Sequence, residues 1–199
     1  IKNNAIFNWH DTKITDLSAI SLCVWDKAYR ADFIKNNQIK FALYKVSEDN
    51  IFSISANLLA DKILYLNKTL YHYRTRSGSS VNKASDNNFC VFDNIDLIKE
   101  FLVSNNLFNE YKSAFKKYVL YILCWHYALI PVGSMDKYLD KCKCLLNPQE
   151  FALFKKKVKG NLSIMQNIFS IKNHREYGEK VKYLTILGIR IKIKGNTKK

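Results

Sequence analysis

Proline, glycine and acidic residues are all scarce in this sequence. It has 2 prolines and 6 glycines among 199 residues, so we expect no long flexible linker. Lysine and arginine number 32 against 17 aspartates and glutamates, which gives a formal net charge of +15 at pH 7. Apolar residues make up 48 % and aromatic residues 14 % of the chain, and this composition excludes a disordered protein. We expect one domain or two small ones, with a buried core.

A hydrophobic run long enough to cross a membrane is also lacking. The most apolar segment, residues 118–132 (YVLYILCWHYALIPV), is shorter than the about 20 residues that a spanning helix needs. It also contains His126 and Pro131. We therefore predict a buried helix here rather than a membrane span.

The cysteines form neither a disulfide framework nor a zinc-site pattern. Their number is odd, and most of them are far apart: Cys23, Cys90, Cys124, Cys142 and Cys144. Cys142 and Cys144 stand too close together for the usual pair of zinc ligands. We therefore expect reduced thiols and a cytoplasmic protein. The chain begins at Ile1 rather than methionine, as expected of a processed, truncated or fragmentary product.

Positive charge is concentrated near the C-terminal end. Residues 1–140 carry a net charge of +3, whereas residues 141–199 carry +12. Such a basic segment fits the phosphates of an anionic membrane surface, of nucleic acid or of a phosphorylated glycan carrier. A codon bias that enriches lysine is the alternative explanation. Nucleic acid is not the favoured partner, because the sequence has no zinc finger, RNA-binding motif or helix-turn-helix signature.

Hydrophobic periodicity predicts a mixed chain whose second half is mainly helical. Short extended runs predict strands at residues 20–25, 62–66 and 69–75. Ser47 is the predicted N-cap of a helix with an apolar stripe that runs to about residue 60. Further helices are predicted at residues 29–37, 89–105, 108–130, 134–145 and 148–158, with one more within 162–175. Alternating isoleucine and basic residues at 189–194 predict a final strand with one apolar and one basic face.

Three polar clusters in the first eighty residues are the candidates for a functional site. The first is residues 47–52 (SEDNIF), where Glu48 and Asp49 begin the predicted helix. A carboxylate at a helix N-terminus is stabilised as an anion, and from there it can accept a proton from a bound hydroxyl. A serine followed by two acids is equally an ordinary helix start.

The second and third clusters combine aromatic side chains with cations. In residues 23–30 (CVWDKAYR), the flat face of Trp25 suits a sugar ring or a slot in the core, and Lys27 adds a cation near a predicted strand end. In residues 70–80 (LYHYRTRSGSS), Arg74 and Arg76 would share one face of a strand. The serines after them offer hydroxyls and free amides, so this cluster suits a diphosphate or, alternatively, a solvated strand face.

In this order and spacing, the clusters resemble the C-terminal part of the catalytic domain of bacterial family 2 glycosyltransferases. The resemblance covers about residues 20–82, through the runs CVWDKAYRADFIKNNQIKF, SEDNIFSISANLLADKILYL and LYHYRTRSGSSV. It implies an α/β fold class, in which the C-terminal part of a GT-A-like sandwich precedes a mainly helical region and a short C-terminal strand. The implied domains are the end of the catalytic domain at 1–84, a helical domain at 85–180 and a basic tail at 181–199.

The resemblance also implies an acceptor side for this site. Asp49, beside Glu48, would be the base that deprotonates an acceptor hydroxyl, and the oxygen would then attack a nucleotide-sugar with inversion at the anomeric carbon. Trp25, Lys27 and Tyr29 would line or support the acceptor. The acceptor itself would be a surface glycan, as in lipopolysaccharide or capsule biosynthesis.

The donor side implied by the resemblance falls in the third cluster. Arg76 and Ser79 would contact the diphosphate of the nucleotide-sugar, with Tyr73 and Arg74 beside them. In the family an Asp-x-Asp holds a divalent cation, Mg²⁺ or Mn²⁺, on that diphosphate. This sequence contains no Asp-x-Asp, and its four histidines have no ligand spacing that could replace it. We therefore expect no cofactor in this chain itself and no transfer activity from the chain alone.

A second hypothesis is a basic helical module without catalysis, which would bind a membrane surface or nucleic acid through residues 141–199. Peripheral attachment to the inner face of the membrane fits both hypotheses, because glycan acceptors are often lipid-linked. A sheet that lacks its N-terminal strands would also leave an open edge, which predicts oligomerisation.

Overall fold

Two compact units, Ile1–Leu145 and Leu146–Lys199, divide the chain. The structure, a computed structural model, describes residues 5–10, 16–19, 21–72, 84–168, 170–176, 179–186 and 189–193, with side chains up to Lys159. The division into 1–84, 85–180 and 181–199 rests on a family resemblance that compactness does not test, and it stays a prediction.

Helix α2 (Asp49–Leu59) is enclosed by the rest of the first unit. Every residue from Asn50 to Leu58 is buried, so the helix is covered well beyond the apolar stripe that the sequence predicts. The buried positions include the polar Ser53, whose Oγ donates a hydrogen bond to the carbonyl of Leu22 over 2.6 Å. This enclosure fixes the direction of α2, and with it the position of the residues at its N-terminus.

Aromatic side chains pack α1 (Ala31–Asn36) and the chain around it against α2. Phe52 lies edge-on to Tyr29, with ring centroids 5.2 Å apart, and stacks on Phe41 at 4.3 Å. Phe52 and Tyr29 belong to a small core cluster that also includes Phe33 and Ile34 of α1. The helix predicted at 29–37 is confirmed, with a slightly later start.

The strands predicted in the first half of the chain are only partly present. Strand β2 (Ile63–Leu64) lies within a predicted strand, but it pairs antiparallel with β1 (Ile6–Phe7). Residues 21–25 form no strand, and neither do residues 69–72, the described part of the run at 69–75. Those two predictions are wrong for the described residues, because an apolar run marks extended chain without showing whether a partner lies beside it.

The rest of the first unit is helical in its described part, with α3 (Cys90–Ser104), α4 (Phe108–Tyr127) and α5 (Met135–Leu145). The three helices predicted here are confirmed to within a few residues, and short 3-10 helices at Asp86–Phe89 and Val132–Ser134 precede α3 and α5. The hydroxyl of the buried Tyr138 donates to the carbonyl of Leu123 over 2.9 Å, which ties α5 to α4. None of the helices in the described residues is long and apolar enough to span a membrane.

The second unit contains α6 (Pro148–Ile168) and an antiparallel sheet in the order β3-β4-β5 (Ser170–Glu176, Glu179–Ile186 and Ile189–Ile193). Asn147 and Glu150 form a capping box at the start of α6, in which each side chain accepts the other's backbone N–H at 2.9 and 3.1 Å. The final strand is confirmed. The further helix predicted within 162–175 is not a separate helix: residues 162–168 continue α6, and the polar segment Ser170–Glu176 pairs with β4 as a strand.

Candidate functional site

Asp49 is the first residue of α2 and directly follows Glu48. Its carboxyl group is partly buried, and this burial, assisted by the negative charge of Glu48, raises its pKa above the ordinary value of an aspartate. The backbone N–H of Asp49 and the positive charge of Lys27 act in the opposite direction. A carboxylate with a raised pKa holds a proton more readily, so Asp49 can accept one from a hydroxyl bound beside it.

Ser47 does not cap α2, contrary to the sequence prediction. Its backbone is in the left-handed region, with φ of 59°, whereas a capping serine has an extended backbone. The residue directly before the helix is Glu48, and its side chain makes no capping hydrogen bond. The Ser47 hydroxyl instead lies 3.0 Å from Nε2 of His126. The turn that leads into α2 is therefore held from outside the helix.

Trp25 and Tyr71, which are 46 positions apart in sequence, meet in the fold. Their rings stack with centroids 4.7 Å apart and an interplanar angle of 30°. The two side chains remain 43 % and 53 % exposed. An exposed pair of stacked rings offers the kind of flat apolar surface on which a sugar ring can pack. The structure thus joins the second sequence cluster to the start of the third.

Lys27 and Tyr29 are placed to support this site. Nζ of Lys27 donates to the carbonyl of Cys23 and to the carboxylate of Asp26, both at 2.6 Å, so this cation is held by its own loop. Its charge nevertheless lowers the pKa of Asp49. Tyr29 is half-buried against α2, and burial raises the pKa of its hydroxyl.

The residues predicted for the donor side lie outside the described part of the chain. Tyr73, Arg74, Arg76 and Ser79 all fall within 73–83, which the structure does not describe. The neighbouring Tyr71 is described, and it places the start of this cluster beside Trp25. The diphosphate contacts of Arg76 and Ser79 stay predictions.

Polar side chains from α3 and α4 also reach this turn, and sequence reasoning missed them. The amide Nδ2 of Asn94 donates to the carbonyl of Ser47 over 2.9 Å. The Tyr118 hydroxyl donates to Oδ1 of Asn94 and accepts from Nδ2 of Asn50, both at 3.0 Å. The thiol of Cys90 donates to the carbonyl of the residue before Ser47, at 3.2 Å. Side chains of α3 and α4 therefore bind the turn that precedes α2 and the first turn of the helix.

His126 completes these contacts from the far end of α4. The side chain is fully buried, and its Nδ1 lies 2.9 Å from Oδ1 of Asn88. Burial lowers its pKa to about 4, so the ring is neutral at pH 7. A signal for this site was present in the sequence, because Tyr118 and His126 stand in helical register with the apolar Ile122. Polar groups at core positions need buried partners.

Within the described residues, His, Cys, Asp and Glu form no group of three or more that could hold a metal ion. Glu48 and Asp49 are a pair without a third ligand beside them. The divalent cation that the resemblance implies for the complete enzyme stays a prediction.

Comparison with known proteins gives a partial relative. Over 78 residues, which are 39 % of this chain, the sequence is 37 % identical to glycosyltransferase GlyA of Streptococcus pneumoniae serotype 4. The aligned stretch spans 11 % of the length of that relative. No family model matches the chain, and no solved structure matches it. The similarity supports a relationship of this stretch to a glycosyltransferase.

Proposed function

We propose that this chain carries the acceptor side of the catalytic site of an inverting glycosyltransferase, with the GT-A-like arrangement of family 2. The observation that carries the proposal is Asp49, a partly buried carboxylate with a raised pKa at the N-terminus of an enclosed helix. The positive charge of Lys27 lowers the pKa of Asp49. Lys27 lies two positions after Trp25, whose exposed ring stacks on that of Tyr71. The similarity of a 78-residue stretch to a protein named as a glycosyltransferase supports the glycosyltransferase part of this proposal.

In the proposed reaction, Asp49 accepts the proton of an acceptor hydroxyl. The hydroxyl oxygen attacks the anomeric carbon of the nucleotide-sugar from the side opposite the diphosphate. A new carbon–oxygen bond forms while the bond to the diphosphate breaks, and the nucleoside diphosphate leaves with the electron pair. The sugar configuration is thereby inverted. Trp25 and Tyr71 would pack against the acceptor, and Arg76 and Ser79 would stabilise the charge on the leaving diphosphate.

The nucleotide and the implied Mg²⁺ or Mn²⁺ ion would be held mainly by other parts of the complete enzyme. This sequence has no Asp-x-Asp, and its described residues form no cluster that fits the ion. The cation would neutralise charge on the diphosphate when bound. We accordingly expect the purified 199-residue chain to transfer no sugar, and measurable transfer by this chain alone would contradict that expectation.

Replacement of Asp49 in the complete enzyme tests the proposal. Asp49→Asn removes the base but keeps the shape of the side chain, so we expect transfer to fall by about 10²–10⁴-fold. Glu48→Gln is the matched control, and we expect it to cost about tenfold or less because Glu48 only adjusts the pKa of Asp49. Transfer is followed as nucleoside diphosphate released from a panel of UDP-, GDP- and dTDP-sugars, with Mg²⁺ or Mn²⁺ and lipid-linked glycans extracted from the source cells. Wild-type transfer by the Asp49→Asn enzyme would refute the role of Asp49.

A further inference from the structure

Side chains from later in the sequence bind the two residues that precede Glu48, at both of their backbone carbonyls and at one side-chain hydroxyl. Cys90 binds the carbonyl of Val46, Asn94 binds the carbonyl of Ser47, and His126 lies 3.0 Å from the Ser47 hydroxyl. These contacts come from residues 44 to 79 positions later in the sequence. We call them, with Asn88, the anchor network.

The protons of the anchor network can be placed from its partners. Nδ2 of Asn88 donates to the carbonyls of Ser85 and Leu129, at 3.0 and 3.1 Å, so Oδ1 of Asn88 is the atom that faces His126. A carboxamide oxygen only accepts, and Nδ1 of His126 must therefore carry the proton. In a neutral ring Nε2 then carries no hydrogen, and it accepts a hydrogen bond from the Ser47 hydroxyl.

Ser47 needs such a partner because its backbone is strained. A φ of 59° brings the Cβ of an L-residue close to the following carbonyl group, which is unfavourable outside glycine. Strained backbone persists where surrounding contacts determine it, and it occurs often at functional sites. Here the contacts hold both the carbonyl and the hydroxyl of Ser47, two residues before Asp49.

We propose that His126, acting through the Ser47 hydroxyl, is a positioning residue for Asp49. The inference rests on the proposed function only for what Asp49 does. The neutral imidazole fixes the left-handed turn, and the turn sets how deeply the Asp49 carboxyl group is buried at the start of α2. Helices α3 and α4 are thereby part of the site rather than a separate support.

The simpler alternative is that His126 only fills the core of α4. Tyr138 provides the matched control for this alternative, because it too is fully buried and bonds to α4, through the carbonyl of Leu123. Its hydrogen bond lies outside the anchor network. Tyr138→Phe should therefore remove a buried hydrogen bond without disturbing Asp49.

The first test uses the unmodified 199-residue chain. A long-range ¹H–¹⁵N NMR correlation spectrum at pH 7 distinguishes the two neutral forms of histidine. We expect His126 to be neutral, with its proton on Nδ1. A proton on Nε2, or a charged ring, would remove the acceptor for Ser47 and overturn the proposal.

The second test compares the titration of the Asp49 carboxyl carbon by ¹³C NMR in His126→Phe, His126→Gln, Ser47→Ala and Tyr138→Phe. Release of the turn exposes Asp49, so we expect its pKa to fall by about half a unit or more in His126→Phe and Ser47→Ala. His126→Gln keeps an acceptor for the Ser47 hydroxyl and should restore most of the wild-type value. Tyr138→Phe should leave the pKa of Asp49 unchanged.

An unchanged Asp49 titration in Ser47→Ala would overturn the proposal, even if His126→Phe failed to fold. An equal shift in Tyr138→Phe would overturn it as well, since any loss of stability would then suffice. Neither readout requires sugar transfer. If Asp49 responds as expected but Asp49→Asn retains transfer in the complete enzyme, the positioning by His126 stands and the proposed function fails.

Discussion

A neutral, fully buried histidine is the residue on which the turn before α2 depends. His126 has no exposed surface, and its two ring nitrogens face Asn88 and Ser47 at 2.9 and 3.0 Å. Burial opposes protonation of the ring, which is why its pKa falls to about 4 in the folded protein. The same burial makes the stability of the fold depend on pH.

We expect the free energy of unfolding to rise between pH 4 and pH 6.5 because of His126. In this window the unfolded chain binds a proton that the folded chain excludes, so stability is lost as the pH falls from the ordinary pKa of 6.5 towards about 4. The gain across the window is roughly 3 kcal/mol. Urea denaturation of the wild type and His126→Gln at several pH values measures it.

The raised pKa of Asp49 contributes a slope of the opposite sign near the acid end of this window, because the folded state then binds its proton more tightly. Asp49 is present in both proteins, so the difference between the two curves reports His126. Parallel curves for the wild type and His126→Gln would contradict the prediction.

Substitutions of Ser47 separate the strain of its backbone from its hydrogen bond. Ser47→Ala leaves Nε2 of His126 without its donor and, unlike glycine, alanine gives no relief at a positive φ, so we expect a loss of about 1–3 kcal/mol. Ser47→Gly loses the same hydrogen bond but relieves the strain, and it should be more stable than Ser47→Ala by roughly 0.5–1 kcal/mol. Chemical denaturation at pH 7 gives both values. A glycine variant less stable than the alanine variant would show that the backbone at this residue is not under strain.

At the scale of elements, α2 is the helix on which the site is built. The core cluster with α1 contacts it, and polar side chains of α3 and α4 bind its first turn and the residues before it. The sequence predicts this helix and its acidic start. It does not predict that the helix is enclosed, because Ser53 and Asn57 look like surface positions until Leu22 and the later helices are brought around them.

Truncation of Phe52 tests how much α2 depends on the packing of α1. Phe52 is buried between Tyr29 and Phe41, and we expect Phe52→Ala to cost about 3–5 kcal/mol. Phe41→Ala is the control, since Phe41 is 48 % exposed and should cost about 1–2 kcal/mol. Urea denaturation measures both, and equal losses for the two variants would contradict the packing described for α2.

At the scale of the whole molecule, the distribution of charge is the property that the sequence establishes most directly. Of the net charge of +12 in residues 141–199, +10 falls in the second unit. We propose that this unit attaches to anionic membrane, where a lipid-linked acceptor would be met. Each lysine near such a surface is worth about 1 kcal/mol of binding free energy.

Charge reversal on α6 tests this attachment. Lys155, Lys156 and Lys157 are exposed, and we expect their joint replacement by Glu to weaken sedimentation with phosphatidylserine vesicles by at least about tenfold. The control reverses Lys112, Lys116 and Lys117 on α4, which are also exposed but lie in the first unit. Equal losses in both variants would mean that net charge alone drives binding. Salt-sensitive binding to duplex DNA without binding to vesicles would instead favour the nucleic-acid alternative.

The sequence by itself determined the net charge, the helices α3, α4 and α5, the acidic start of α2 and the resemblance to a glycosyltransferase, because these depend on residue type and local periodicity. The tertiary structure alone decided that β2 pairs with β1, that Trp25 stacks on Tyr71 and that His126 forms a hydrogen bond with the Ser47 hydroxyl. Such contacts join residues tens of positions apart. They depend on how whole elements pack, and no local pattern specifies that.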